Sequence, residues 1–373
     1  MRRSCLVYVV GTRFGAATMA PVIATMRERA PRARHVVVNP AAATALGGDL
    51  DQLGLADPDY LLGSNSGSPV TATTAAMERI ERVIAVEQPS LVVVSGSSTA
   101  ALSAALSALK SGIRSVHIDA GLRNFDRRVP EEVNRVIVDS FADLLFVSCE
   151  HGMANLRAEG VDAERIHLVG STMIDTLSNL APRLGRSGIA ARLGVDRGGY
   201  LLVALREATF ARAERLPATL DRLIELSSTM PVVIPVAEGV RETVARYVHG
   251  SRLLLTEPLG YLSFLSLEAG AAAVLTDRSG VQEEATYMGV PCFTLRKSTE
   301  RTITLQRGTN RLLGDDPARI AEIPAALQER HEEREPLPLW DGHAATRVAD
   351  VLEHDLALQP RTQSSVTTGM ETR

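Results

Sequence analysis

Residues 117–135, HIDAGLRNFDRRVPEEVNR, bring four carboxylates, four arginines and a histidine together around a glycine turn. The apolar run before them predicts a buried strand, with Asp119 at its end and Arg123 in the loop that follows. Pro130 suits the first turn of a helix. On that helix Glu131, Asn134 and Arg135 share one face at spacings of three and four. Two carboxylates brought to one cleft can act as an acid and a base with separated pKa values, which makes Asp119 and Glu131 the catalytic candidates. The competing reading of Glu131 is a helix-start acid paired with Arg135, and Glu132 is expected as solvated helix charge.

A second constellation is TDRSGVQEEATYMG, residues 276–289. Here a turn at Ser279-Gly280 would present backbone N–H groups at a helix start, an arrangement that suits a diphosphate. Glu284 on the next turn can accept hydrogen bonds from ribose hydroxyls or simply favour the helix dipole. LRKSTERT, residues 295–302, adds Arg296, Lys297 and Arg301, with the guanidinium fork of Arg301 matched to phosphate or to an ion pair. GTRFG at 11–15 places Arg13 in the first βα loop, and it is neither a dinucleotide fingerprint nor a P-loop. SGSSTA at 95–100, including Ser97, and GSTMIDT at 170–176 put small hydroxyl residues at strand ends, where capping competes with ligand contact.

Positioning such groups requires a repeated strand–turn–helix order, and the chain has one. CLVYVVG, HVVVNP, LVVVSG, SVHIDAG, LLFVSC and IHLVG form a first series of buried strands; YLLVALRE, MPVVIPVAE, RLLLTEP, AAVLTDRSG and PCFTLR form a second. The fold class expected is α/β, with two Rossmann-like doubly wound domains at 1–177 and 178–340. A C-terminal helix at 341–357 would pack back on the first domain, and 358–373 would form a flexible tail. Ligand is expected at the carboxyl ends of the strands, where the domains face each other.

Composition narrows the class. Forty basic against forty-four acidic residues give a formal charge of −4 with no long basic tract, which argues against nucleic-acid binding. No run reaches the roughly 20 apolar residues of a membrane span. Three cysteines far apart in sequence suggest a reduced, cytoplasmic setting, and the eight histidines form no local ligand cluster, so no metal or other cofactor is expected.

Taken in order, GTRFGAATMAP, HIDAGLR, PEEVNR, GSTMID, EPLGYLSF, TDRSGVQEE and LRKSTER resemble the non-hydrolysing UDP-N-acetylglucosamine 2-epimerase family over roughly residues 7–355. The resemblance implies a glycosyltransferase-B-like pair of domains, a homodimer and a nucleotide-sugar substrate held between the domains. It implies C2 epimerisation through loss of the nucleotide diphosphate and an unsaturated 2-acetamidoglucal. By motif, Arg13, Ser279, Gly280, Glu284 and Arg301 would surround the nucleotide, Tyr261 to Phe264 would wall the base, and Asp119 and Glu131 would be the acid–base pair. Arg123, Arg135 and Arg206 would order the site or oppose the diphosphate.

The chain also departs from the family pattern. Ser97 replaces an aspartate, Leu205 a histidine with only Arg206 kept beside it, Phe14-Gly15 a proline-glutamate, Thr18 a lysine and Ala237 a histidine. These losses keep three further readings open: another sugar donor, a C1-transfer enzyme using a small-molecule acceptor or water, and a nucleotide-sugar-binding protein without catalysis.

Overall fold

A computed structural model describes residues 4–40, 49–63, 68–210, 215–329 and 337–358; the tail expected beyond 358 lies outside the described residues. Thirteen strands are described. Seven form the first sheet: β1 (Cys5–Val9), β2 (Arg34–Asn39), β3 (Tyr60–Leu61), β4 (Leu91–Ser95), β5 (Arg114–Ile118), β6 (Leu144–Val147) and β7 (Ile166–Leu168). Six form the second: β8 (Leu201–Ala204), β9 (Val232–Pro235), β10 (Leu253–Thr256), β11 (Ala273–Thr276), β12 (Cys292–Thr294) and β13 (Asn310–Leu312). Every pairing is parallel, in the orders β3-β2-β1-β4-β5-β6-β7 and β10-β9-β8-β11-β12-β13.

The strands are apolar on both faces because helices cover both. In β1, Leu6 and Tyr8 enter one core while Cys5, Val7 and Val9 enter the other, the period-2 alternation of a strand. A further apolar seam joins the two halves, with Ala17, Leu122, Met173 and Ile174 packed among Tyr261, Leu265 and Ile303. The last helix, Ala344–Leu358, inserts Ala345, Val348, Ala349 and Leu352 into the first sheet's core. Its start is fixed by Asp175, whose carboxylate accepts from the backbone N–H of Ala344 at 3.1 Å and of Ala345 at 2.6 Å.

Strand order reverses between β1 and β4 in the first sheet and between β8 and β11 in the second. At such switch points the loops leaving the strands diverge and open a crevice. The loops after β1, β4, β5, β8, β11 and β12 carry the residues from which the site is built.

Candidate active site

A cavity of about 310 Å³ lies between the two sheets. The first half lines it with Thr12, Ser97, Asp119, Glu131 and Arg135, the second with Arg206, Asp277, Ser279, Glu300 and Arg301.

Asp119 follows β5 directly and adopts φ +66°, a left-handed conformation uncommon for a residue with a side chain and best tolerated by Asn and Asp. The turn it begins is pinned from below. Gly121, at φ +78°, passes so close to helix Glu150–Ala158 that a Cβ there would sit 2.3 Å from the carbonyl oxygen of Gly152. Asp139 accepts from the N–H of Gly121 at 3.0 Å and from Arg123 Nη1 at 2.6 Å, and it lies 2.6 Å from Nδ1 of His117.

Across the cavity, Arg301 donates through Nη2 to Asp119 at 2.8 Å and through Nη1 to Glu283 at 3.0 Å, tying the two halves together. Its loop is held by Gln282, whose side-chain oxygen accepts from Thr299 at 2.7 Å and from Asn310 at 2.9 Å. Burial would raise the pKa of Asp119, but the charge and hydrogen bond of Arg301 win and hold it below the usual carboxylate value. Glu300 behaves alike: burial opposes ionisation, yet Arg296, Arg135 and a short hydrogen bond from Ser279 keep its pKa well down. Glu283 goes the other way. Burial pushes it up to about 8 despite Arg301, with Asp119 and Glu284 adding repulsion.

Glu131 is the exposed member of the candidate pair, 47% accessible, with Arg206 Nη1 at 3.6 Å. Arg135 pairs not with Glu131 but with Glu132 at 2.6 Å, and it donates to the Ser97 hydroxyl at 3.2 Å. This corrects the expectation for Glu132, which is buried rather than solvated: it accepts from the N–H groups of Asn124 and Phe125 and so orders the loop before its helix, Pro130–Phe141. Arg206 also reaches Asp277 at 3.3 Å.

Of the residues singled out from sequence, Ser97, Asp119, Glu131, Arg135, Arg206, Ser279, Gly280 and Arg301 line the cavity. Arg13, Arg123, Tyr261, Phe264 and Glu284 do not. The Nε of Arg13 lies 2.5 Å from Asp49. Arg123 is spent on Asp139 and Glu159 beneath the turn. Tyr261 and Glu284 are fully buried behind the cavity, the tyrosine hydroxyl donating to Glu284 at 2.7 Å. Phe264 packs into the second sheet's core.

Sequence reasoning did not single out Glu268, Asp277, Arg278 or Glu300 as site residues. Asp277 and Arg278 stood within the quoted TDRSG turn, and Glu300 next to Arg301. Glu268, in an apolar helix, gave no such signal. It lies fully buried beside Glu284, and burial raises both carboxyls, Glu284 to about 7. Neither oxygen of Glu268, nor Oε2 of Glu284, meets a donor, so a proton is required between them. Among the described residues no group of three or more metal-ligating side chains occurs.

A sequence profile described as UDP-N-acetylglucosamine 2-epimerase matches residues 24–353. A UDP-N-acetylglucosamine 2-epimerase of Methanococcus maripaludis is 33% identical over 316 residues, 81% of this chain and 86% of that one. A UDP-2,3-diacetamido-2,3-dideoxy-D-glucuronate 2-epimerase of Pseudomonas aeruginosa is 33% identical over 312 residues, 81% and 85% of the two chains. Among solved structures, the UDP-GlcNAc 2-epimerase of Methanocaldococcus jannaschii in complex with UDP-GlcNAc and UDP superposes with a TM-score of 0.84 at 30% identity, covering 94% of this chain and 99% of that one. The two parallel-sheet domains thus have the glycosyltransferase-B-like arrangement of these structures.

Proposed function

Because this chain belongs to the UDP-N-acetylglucosamine 2-epimerase family, we propose that it interconverts the C2 epimers of a UDP-linked 2-acetamido sugar, UDP-N-acetylglucosamine first among them. The observation that carries this reading is the cavity itself. Carboxylates at the strand ends of one sheet face arginines and a Ser-Gly helix start at the strand ends of the other, at the switch points of both sheets.

In this reading one carboxylate removes the C2 proton. The electrons of the C–H bond form the C1=C2 double bond, and the C1–O bond breaks with its pair on the departing UDP oxygen. Return of UDP to C1, with protonation of C2 from the opposite face, completes the isomerisation with no net redox change. Asp119 and Glu131 are suited to divide this work because their surroundings differ, the first buried and ion-paired with Arg301, the second half exposed and only loosely held. Arg301, Arg206, Ser279 and Gly280 take the diphosphate side, and Ser97, held by Arg135, supplies a hydroxyl where the family has a carboxylate. Glu284, Tyr261, Phe264 and Arg13 support that side from outside the cavity wall, and Arg123 braces the Asp119 turn.

The named relatives act on more than one sugar, which keeps a substituted donor within this reading. C1 transfer and binding without turnover are not favoured, since those relatives are all 2-epimerases. Family resemblance supports a homodimer, and three free, buried cysteines fit a cytoplasmic setting. The test is product analysis: purified protein given UDP-N-acetylglucosamine should yield its manno epimer, seen by NMR. Failure across UDP-linked 2-acetamido sugars would reject the proposal.

A further inference from the structure

Four arginines line the cavity: Arg135, Arg206, Arg278 and Arg301. Three are already neutralised. Arg135 pairs with Glu132 at 2.6 Å, Arg206 with Asp277 at 3.3 Å, and Arg301 with both Asp119 and Glu283 at 2.8 and 3.0 Å. Arg278 differs. Its Nη2 donates to the carbonyl of Leu205 at 2.9 Å, and among the described residues no carboxylate comes within ion-pairing distance; its buried Nε lacks an acceptor, as does that of Arg301, but Arg301 has two carboxylates on its other nitrogens. Asp277 and Glu284 act on it only at longer range, where Arg13 and Arg206 oppose them.

A partly buried guanidinium without a counter-ion is costly, and a fold tolerates one where an anion completes it. Burial indeed disfavours its charged form, lowering its pKa from the ordinary arginine value. Position points the same way. Arg278 immediately precedes helix Ser279–Met288, so its side chain shares the cavity with the first N–H groups of that helix. The diphosphate of a nucleotide sugar carries two negative charges, more than the ion-paired arginines can meet without giving up their own carboxylates.

We infer that Arg278 is a principal phosphate ligand of this site, the cavity-lining cation kept free of a protein carboxylate so that a nucleoside diphosphate can take it. The inference rests on the nucleotide-sugar reading of the same cavity and adds to it a residue that neither the motif resemblance nor the acid–base pair calls for. Arg301 also faces the diphosphate side, but it does so while tying Asp119 to Glu283, so its charge is already shared with two carboxylates.

Calorimetric titration of wild type and Arg278→Met with UDP and with uridine tests the assignment. Met keeps much of the side-chain volume and removes the charge. UDP binding should weaken by roughly 10- to 100-fold, the value of lost charge-assisted hydrogen bonds, with uridine binding unchanged. The ligand-free variant should melt no lower than wild type, because an unpaired charge has left a partly buried position. Arg278→Lys should fall between the two, since it retains the charge without the fork. UDP affinity within twofold of wild type, or equal losses for UDP and uridine, would overturn the assignment while leaving the epimerase proposal standing. A large loss of thermal stability in Arg278→Met would also overturn it, by making the residue a structural brace. A wild type that binds neither UDP nor a UDP-sugar would remove both readings together.

Discussion

Glu268 and Glu284 form a carboxyl pair that cannot hold two charges in its fully buried setting. Both folded pKa values lie above the unfolded carboxylate value, so the folded protein holds a proton there that the unfolded chain has released. That stability is fully present below about pH 4.5; the part due to Glu284 is lost as pH rises through about 7, and the part due to Glu268 as pH rises through its own raised value. Glu268→Gln removes one titrating group while keeping the shape and offering an amide donor to Glu284. The melting-temperature advantage of wild type over this variant should therefore shrink by a few degrees between pH 5 and pH 8. A difference independent of pH would show that the two carboxyls do not share a proton.

At the scale of elements, strand ends were legible because buried parallel strands read as short apolar runs closed by glycine or a small polar residue. SVHIDAG and AAVLTDRSG delivered Asp119 and Ser279 to the cavity for that reason. What lay behind the strand ends was not legible, since it depends on contacts between distant segments. The N–H of Tyr261 donates to Asp49, 212 residues away, and this helps fix the tyrosine behind the cavity wall. Likewise the charges of Arg123 and Glu132 carry no sign in the sequence that they are spent on bracing loops. GSTMID gives a similar lesson. Its aspartate, Asp175, is buried and caps the last helix through two backbone N–H groups, so Asp175→Ala should cost about 1–2 kcal/mol and lower the melting temperature by several degrees. Amide exchange should quicken first over residues 344–352, whereas unchanged protection there would rule out the capping role.

For the whole molecule, two sheets with separate cores meet along an apolar seam, and Arg301 spans the cavity between an aspartate of one half and a glutamate of the other. The reaction proposed for that cavity depends on breaking the C2–H bond, a step absent from simple C1 transfer. The most direct measurement is NMR of UDP-N-acetylglucosamine incubated in deuterated water with wild type and with Asp119→Asn. Wild type should place deuterium at C2 of the sugar as the manno epimer accumulates, and Asp119→Asn should slow this exchange by at least about 100-fold, the scale of a lost general acid or base. Release of UDP with protium retained at C2 would contradict the account and assign the cavity to chemistry at C1.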